Sequence, residues 1–118
     1  MTTTSNVLTG LVAFLHTYFL VLEMFLWAKP FGMKTFKRTR EEQESTKVLA
    51  ANQGLYNGFL AAGLVWSYWA GYDVRVFFLA CVVVAGLYGA VTAARSILFA
   101  QAIPAAAALA VTLAARYA

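Results

Sequence analysis

Long apolar segments separated by short polar links make up most of this 118-residue chain. Four segments have about the length of a membrane-crossing helix, which needs roughly 20 mostly apolar residues. They cover residues 7–28, 48–70, 76–94 and 97–115. Short links after residues 70 and 94 make consecutive helices antiparallel neighbours. The pattern therefore predicts an all-α, polytopic membrane protein, built as an antiparallel bundle of four transmembrane helices.

These helices are expected to form a single transmembrane domain over residues 1–118. Their approximate bounds are 7–28, 40–70, 76–94 and 97–115, and a basic loop covers 29–39. The second helix begins before its apolar segment because Thr39-Arg40-Glu41-Glu42 has the pattern of a capping box, which starts a helix near Arg40.

The composition agrees with a membrane protein. Hydrophobic residues make up 62% of the chain and charged residues 12%, with a mean hydropathy of +0.70. Soluble domains carry about 25% charged residues, so the chain falls well outside that class. The single Cys and single His give no metal-ligand spacing, and we expect no metal site.

The net charge of +4 is interpreted as a topology signal, and we expect no nucleic-acid partner. Most basic residues lie in one short stretch: Lys29, Lys34, Lys37, Arg38, Arg40 and Lys47. The positive-inside rule then places residues 29–47 and Arg95 in the cytosol, with Arg75, Arg116 and both termini outside. The predicted location is a cell membrane, which is the inner membrane in a bacterium. The lipid bilayer is then a partner, with anionic headgroups at the basic loop.

Glu23 is the residue most indicative of function, because it lies inside the first apolar segment. A carboxyl group near the centre of an inserted helix costs roughly 2.5–3.5 kcal/mol, so such a group normally faces protein or water. His16 lies seven residues earlier, on the same helical face. We interpret Glu23 and His16 as candidate catalytic or proton-carrying residues.

Further polar residues at similar depths are predicted to complete a buried polar site that binds a small molecule. The candidate ligand-binding residues are Asn52, Gln53, Tyr56, Asn57, Tyr88, Arg95 and Gln101. The first four lie in the second apolar segment, where amides and phenols can also serve only to bond helices together. A structural Glu23–Arg95 ion pair is an alternative for the acid.

Two segments resemble the DUF1304 family of small membrane proteins. They are Leu22-Glu23-Met24-Phe25-Leu26-Trp27 and the run from Lys47 to Leu64, which contains Asn52-Gln53-Gly54-Leu55-Tyr56-Asn57. The resemblance covers nearly the whole chain and implies a membrane fold, but the family name denotes unknown function. It implies that Glu23, Asn52, Gln53, Tyr56 and Asn57 are signature positions.

Three functions remain open from the sequence. The first is a small-molecule transporter, linked to protons through Glu23. The second is a membrane-embedded enzyme, isomerase- or hydrolase-like, in which Glu23 is an acid or base and His16 a second proton carrier or a haem ligand. The third is a structural or accessory subunit whose polar cluster joins helices. The cofactor is unknown, and Gly/Ala-rich helix faces favour a homo-oligomer.

Overall fold

The computed structural model describes residues 1–117, with side chains for residues 1–116. This part of the chain is helical and contains no strand. Its helices are α1 (Thr3–Phe25), α2 (Pro30–Phe36), α3 (Arg40–Ala70), α4 (Tyr72–Thr92) and α5, which starts as a π-helical turn (Leu98–Ala102) and continues as an α-helix (Ile103–Tyr117). The all-helical prediction is therefore confirmed.

The prediction of four helices differs from the structure, which has five in the described residues. The extra helix, α2, lies in the stretch expected to be the basic loop 29–39. Pro30 occupies the start of α2, where its fixed φ favours helix and its missing N–H is not needed. Lys37 ends the helix in the left-handed conformation, with φ 54°. Pro30, within the stretch expected to be a loop, thus starts a short helix.

The chain divides into two units. The terminal unit comprises Met1–Leu15 and the chain from Leu60 onward, and the central unit comprises His16–Phe59. Helices α1 and α3 each contribute to both. The expectation of a single transmembrane domain stays a prediction.

Small residues bring the helices of the terminal unit close together. Its buried core draws on α1, α3, α4 and α5, through Val12, Ala13, Leu64, Leu79, Val82, Ala105 and Ala108. Gly86 lies so close to α5 that a Cβ atom there would be 2.8 Å from the backbone nitrogen of Ala102. Such close backbone approach is how helices associate where no hydrophobic effect drives them together.

The π-helical turn of α5 has a cause in the sequence. Pro104 has no N–H to donate to the carbonyl of Ala100, four residues earlier. The Ile103 N–H bonds the carbonyl of Leu98, five residues earlier, so the turn is one residue wider than an α-helical turn. Gln101 lies in this turn and is half-buried.

Helix α1 has the reverse of the usual amphipathic pattern. Its buried face carries Ser5, Thr9, His16 and Glu23. Its exposed face is a row of large apolar residues: Val7, Leu11, Phe14, Tyr18, Val21 and Phe25. The polar row recurs in steps of four and seven residues and the apolar row in steps of three and four, which defines opposite faces of one helix. Polar groups inside and apolar groups outside suit a helix in hydrocarbon.

Among the described residues, three helical stretches are long and apolar enough to cross a membrane: Thr3–Phe25, Tyr72–Thr92 and Leu98–Arg116. These stretches are consistent with a membrane protein. Helix α3 was also expected to cross, but it is not among the three. The physical reason is its polar content, since Asn52, Gln53 and Asn57 interrupt its apolar part.

The predicted capping box at the start of α3 is confirmed. The Thr39 N–H donates to Glu42 Oε1 at 3.1 Å, and Thr39 Oγ1 accepts from the Glu42 N–H at 3.1 Å. The bonds from the Thr39 backbone and hydroxyl lower the pKa of Glu42. Because the pKa of Glu42 is lowered in the folded protein, its ionised form stabilises α3 at pH values above the ordinary carboxyl pKa. This stabilisation is lost as the pH falls through the lowered pKa.

We predict that Gly86→Ala lowers the stability of the protein by about 1–3 kcal/mol, because the added methyl group meets the backbone of Ala102. Gly89→Ala is the matched control on the same helix, since its methyl group would meet only side-chain atoms of Ile97, at 3.2 Å and beyond. Thermal unfolding in detergent, followed by circular dichroism, measures both. Equal losses for the two variants would contradict the close α4–α5 contact.

Candidate functional site

Glu23 meets helix α3 because a glycine lets the two helices approach. A Cβ atom on Gly54 would be 3.1 Å from Glu23 Cβ and 2.7 Å from Met24 Cγ. Three residues later on the same face of α3, Asn57 Nδ2 donates to Glu23 Oε1 at 2.5 Å. The structure thus joins two of the residues that the sequence singles out, both in the central unit.

The Glu23 side chain is buried and has an uncharged partner. Only 8% of the residue is exposed. Among the described residues 16–59, no Lys or Arg forms an ion pair with it; the pair formed there joins Lys47 Nζ and Glu44 Oε2 at 3.3 Å. The amide of Asn57 satisfies one carboxyl oxygen without neutralising a charge. The carboxyl group therefore remains available to a proton or to a ligand's polar group.

A second pair of polar contacts joins α1 to α3 just beyond the end of α1. Gln43 Nε2 donates to the carbonyl of Trp27 at 2.6 Å, and Trp27 Nε1 donates to Thr46 Oγ1 at 3.0 Å. Sequence reasoning missed Gln43, which is fully buried although charged residues surround it in the chain. Its spacing to Ala50, Gly54 and Asn57 was the available signal, because steps of seven, four and three keep one helical face.

A groove of about 780 Å³ lies beside Glu23 in the central unit. One face of α3 lines it, together with the end of α1, the connection after it and α2. Its apolar walls include Met24, Trp27, Met33, Val48 and Leu55. Its polar lining is Glu23, Lys29, Arg40, Glu44, Lys47 and Asn52. The volume falls in the range of about 300–1,000 Å³ that is typical of small-molecule sites.

The other candidate residues of the central unit have different surroundings. Asn52 lines the groove, and its amide donates to the carbonyl of Val48 on its own helix at 2.9 Å. Gln53 is exposed, and Tyr56 is 61% exposed with its ring against Phe59. The structure thus brings Asn57 and Asn52 to Glu23 or its groove, and leaves Gln53 and Tyr56 on the surface of α3.

His16 is fully buried on the α1 face that also carries Glu23, and its ring packs edge-on to Phe19 at 5.4 Å between ring centroids. Its role as proton carrier or haem ligand stays a prediction. Across the described residues, no group of three His, Cys, Asp or Glu side chains is arranged to hold a metal ion.

Three candidate residues lie in the terminal unit. Tyr88 is 71% exposed, Arg95 is exposed and Gln101 is half-buried. Their part in a ligand site stays a prediction.

The terminal unit contains a buried cation that the sequence reading used only for topology. Arg75 is 0% exposed. Its Nε donates to Ser67 Oγ at 2.9 Å, and its Nη1 donates to Ser5 Oγ at 3.0 Å and Asn6 Oδ1 at 2.6 Å. The guanidinium also lies over the ring of Tyr68, 4.4 Å from the centroid. Arg75 therefore ties α1, α3 and α4 together through neutral oxygens.

The hydrogen bonds around Arg75 have defined donors and acceptors. Thr112 Oγ1 donates to the carbonyl of Ala108 at 2.7 Å, so its single proton is used. In the 2.6 Å contact between Ser5 and Thr112, Ser5 must then be the donor. The chain of bonds runs from Arg75 through Ser5 and Thr112 to a backbone carbonyl of α5. The signal available in the sequence was the polar row on α1, which includes Ser5.

Comparison with known proteins identifies the family of this chain, and the matching family and relative have no assigned activity. A family model described as "Protein of unknown function (DUF1304)" matches residues 10–113. "Uncharacterized protein YpaA" of Lactococcus lactis subsp. lactis (strain IL1403) is 31% identical over 106 residues, covering 86% of this chain and 89% of that protein. No solved structure matches.

We predict an interaction energy of about 1–2 kcal/mol between Glu23 and Asn57 in a double-mutant cycle of Glu23→Leu and Asn57→Leu, because each change alone leaves a buried polar group unpaired. Reversible unfolding in micelles measures the four free energies. Asn52→Leu is the matched control, since Asn52 bonds its own helix, and its change combined with Glu23→Leu should be additive within about 0.5 kcal/mol. Equal coupling for both asparagines would contradict the assigned contact.

Proposed function

The chain belongs to the DUF1304 family of proteins of unknown function, and on that premise we propose that it binds a small amphipathic molecule in the groove beside Glu23 and carries it across a membrane with a proton. The observation that carries the proposal is the buried carboxyl group of Glu23, which has a neutral partner and lines the groove.

The chemistry of Glu23 supports proton coupling. An acid inside an apolar helix is energetically costly, so acids are rare there and usually have a function. Intramembrane carboxyl groups commonly serve as proton relays. A fixed cation at ion-pair distance would hold the group permanently ionised, and none is present among the described residues 16–59. A proton can therefore bind to and leave the carboxyl group, which borders the groove that the ligand would occupy. This is the minimal arrangement for linking two movements at one site.

We also propose that α3 is a fourth membrane crossing, with the basic stretch 29–47 in the cytosol. Only Gly71 separates α3 from α4, and Gly63 on α3 lies against the ring of Phe78 on α4. The last part of α3 therefore runs beside a helix that has the length and hydropathy of a span. In this orientation both termini are outside, and the lysine and arginine end of the groove opens to the cytosol. A homo-oligomer remains part of the proposal.

The Asn57–Glu23 bond also favours a second function, an accessory subunit in which this bond only joins helices. Polar side chains in membrane helices often have that role. The two functions differ in one property: a carrier must expose the Glu23 carboxyl to protons and to ligand, whereas a helix-joining bond stays closed.

We predict that dicyclohexylcarbodiimide, an apolar reagent that adds to protonated carboxyl groups, modifies Glu23 in the folded protein. Labelling should fall as the pH rises, because ionisation removes the reactive form. Mass spectrometry of the intact chain and its peptides measures the labelling. Glu23→Gln should abolish it, and Glu41→Gln should not, since Glu41 is exposed at the start of α3. A folded protein that is unlabelled at every pH would favour the accessory function.

We predict that proteoliposomes of a zwitterionic lipid, loaded with the pH indicator pyranine, change their internal pH when an amphiphile is added to the wild-type protein. Decanesulfonate and decyltrimethylammonium, each below its micelle-forming concentration, are the probes, because neither carries a titratable proton in this range. Glu23→Gln keeps an acceptor for Asn57 but cannot titrate, so the pH change should disappear. Glu41→Gln is the matched control. A change that persists in Glu23→Gln rejects proton coupling through Glu23.

A further inference from the structure

We infer that the ligand of the groove is a single-chain amphiphile with an anionic headgroup, bound with its head at the end formed by Lys29, Arg40 and Lys47 and its tail pointing toward Glu23. This inference rests on the proposed function for the use of the groove, and it adds the class and orientation of the ligand. Three features of the groove support this assignment: its charges, its apolar wall residues and the acid at its far end.

The charges of the lining are segregated along the groove. Arg40 and Lys47 line it near the start of α3, and Lys29 lines it two residues after Trp27, whose carbonyl accepts a bond from Gln43 in the same part of α3. In the described part of the chain neither Lys29 nor Arg40 forms an ion pair. The acid among them, Glu44, is held by Lys47 at 3.3 Å. Two uncompensated cations therefore remain at this end, which we call the basic end. A sulfonate, phosphate or carboxylate head is their natural complement, and a quaternary ammonium head is repelled.

One face of α3 forms a wall of the groove, and its apolar members in the middle of the groove are Val48, Ala51 and Leu55. Arg40, Glu44, Val48, Asn52 and Leu55 recur at helical spacing along this face. At 1.5 Å per residue, the distance from Lys47 to Leu55 is about 12 Å and that from Arg40 to Leu55 about 22 Å. Met24, Trp27 and Met33 form the facing side. This shape favours an alkyl chain, and the volume of about 780 Å³ favours a molecule of drug size over a two-chain phospholipid.

The end of the groove away from the basic end is bordered by the carboxyl group of Glu23. Glu23 lies opposite Gly54, and its carboxyl is bonded by Asn57. A methyl terminus that reached this end would desolvate the acid without bonding it, which is unfavourable. The structure therefore sets a maximum tail length. The basic end and Glu23 lie about 10 Å or more apart along α3, so a bound anionic head does not face the acid directly.

The test is a chain-length series of alkyl sulfonates with 6, 8, 10 and 12 carbons, titrated calorimetrically into the protein in nanodiscs of a zwitterionic lipid. Empty nanodiscs give the partition background. Each buried methylene should raise the affinity about fourfold until the tail reaches Glu23, after which the gain stops. Alkyltrimethylammonium ions of the same lengths should bind at least tenfold more weakly. Glu23→Leu should move the plateau to longer chains.

Charge reversal in the basic stretch supplies the matched control. Lys29→Glu with Arg40→Glu should lower sulfonate affinity at least tenfold. Lys34→Glu with Lys37→Glu makes the same change of charge in the same stretch but outside the groove lining, and should lower it less than threefold. A circular dichroism spectrum confirms that each variant is folded. Equal losses for the two pairs would mean that general surface charge attracts the probe, which overturns the inference.

The remaining outcomes separate this inference from the proposed function. Preferential binding and proton-linked movement of the alkyltrimethylammonium ions would overturn the anionic assignment and leave the carrier function standing. Saturable sulfonate binding without any pH change in proteoliposomes would leave the ligand class standing and reject the carrier function.

Loss of sulfonate binding in nanodiscs containing phosphatidylglycerol would assign the groove to a lipid headgroup. Absence of binding, with cross-linking between copies through Met33→Cys in a Cys81→Ser background, would assign it to a second copy.

Discussion

The structure depends on one constraint: a polar group held in apolar surroundings must find its partner within the chain. Water cannot satisfy it there, and an unpaired group costs several kcal/mol. Arg75 meets the constraint at Nε and Nη1, which bond three hydroxyl and amide oxygens, and its guanidinium also lies over the ring of Tyr68. Ser5 in turn bonds Thr112, which bonds a backbone carbonyl. The buried polar face of α1 follows from the same need. Its opposite face, a row of exposed apolar side chains, requires no partner at all.

Glu23 meets the same constraint differently, and that difference gives the site its functional interest. Arg75 spreads its charge over several bonds, whereas Glu23 has one bond, to the amide of Asn57. Arg75 is enclosed, whereas Glu23 borders a groove. An enclosed ion with several hydrogen bonds stabilises a helix arrangement, and an acid with one hydrogen bond beside a cavity can still exchange its proton or meet a ligand. The same physical rule thus separates a structural cluster from a candidate site.

The groove depends on two contacts that hold the end of α1 and the connection after it against α3. Gly54 allows α1 and α3 to approach, and Gln43 holds the carbonyl of Trp27 where α1 has ended. Pro30 then starts α2, whose Met33 and preceding Lys29 line the groove. The basic stretch that we propose to lie at the cytosolic membrane surface therefore also lines the groove that we propose as the ligand site. The proposed head-to-tail orientation of an amphiphile follows from this arrangement.

Local pattern in the sequence was enough to predict helices, apolar segments of membrane length, the capping box at Thr39 and the isolated acid at Glu23, because each depends on neighbours within one or two turns. It could not choose among Asn52, Gln53, Tyr56 and Asn57 as the partner of Glu23. These residues lie within two turns of one helix, and the rotation of α3 about its axis decides which of them faces α1. The burial of Arg75 and Gln43 was also decided only by tertiary packing, because each needs acceptors that are distant in the chain. Sequence pattern thus indicated the long helices, though not the short α2, and packing determined which polar groups meet.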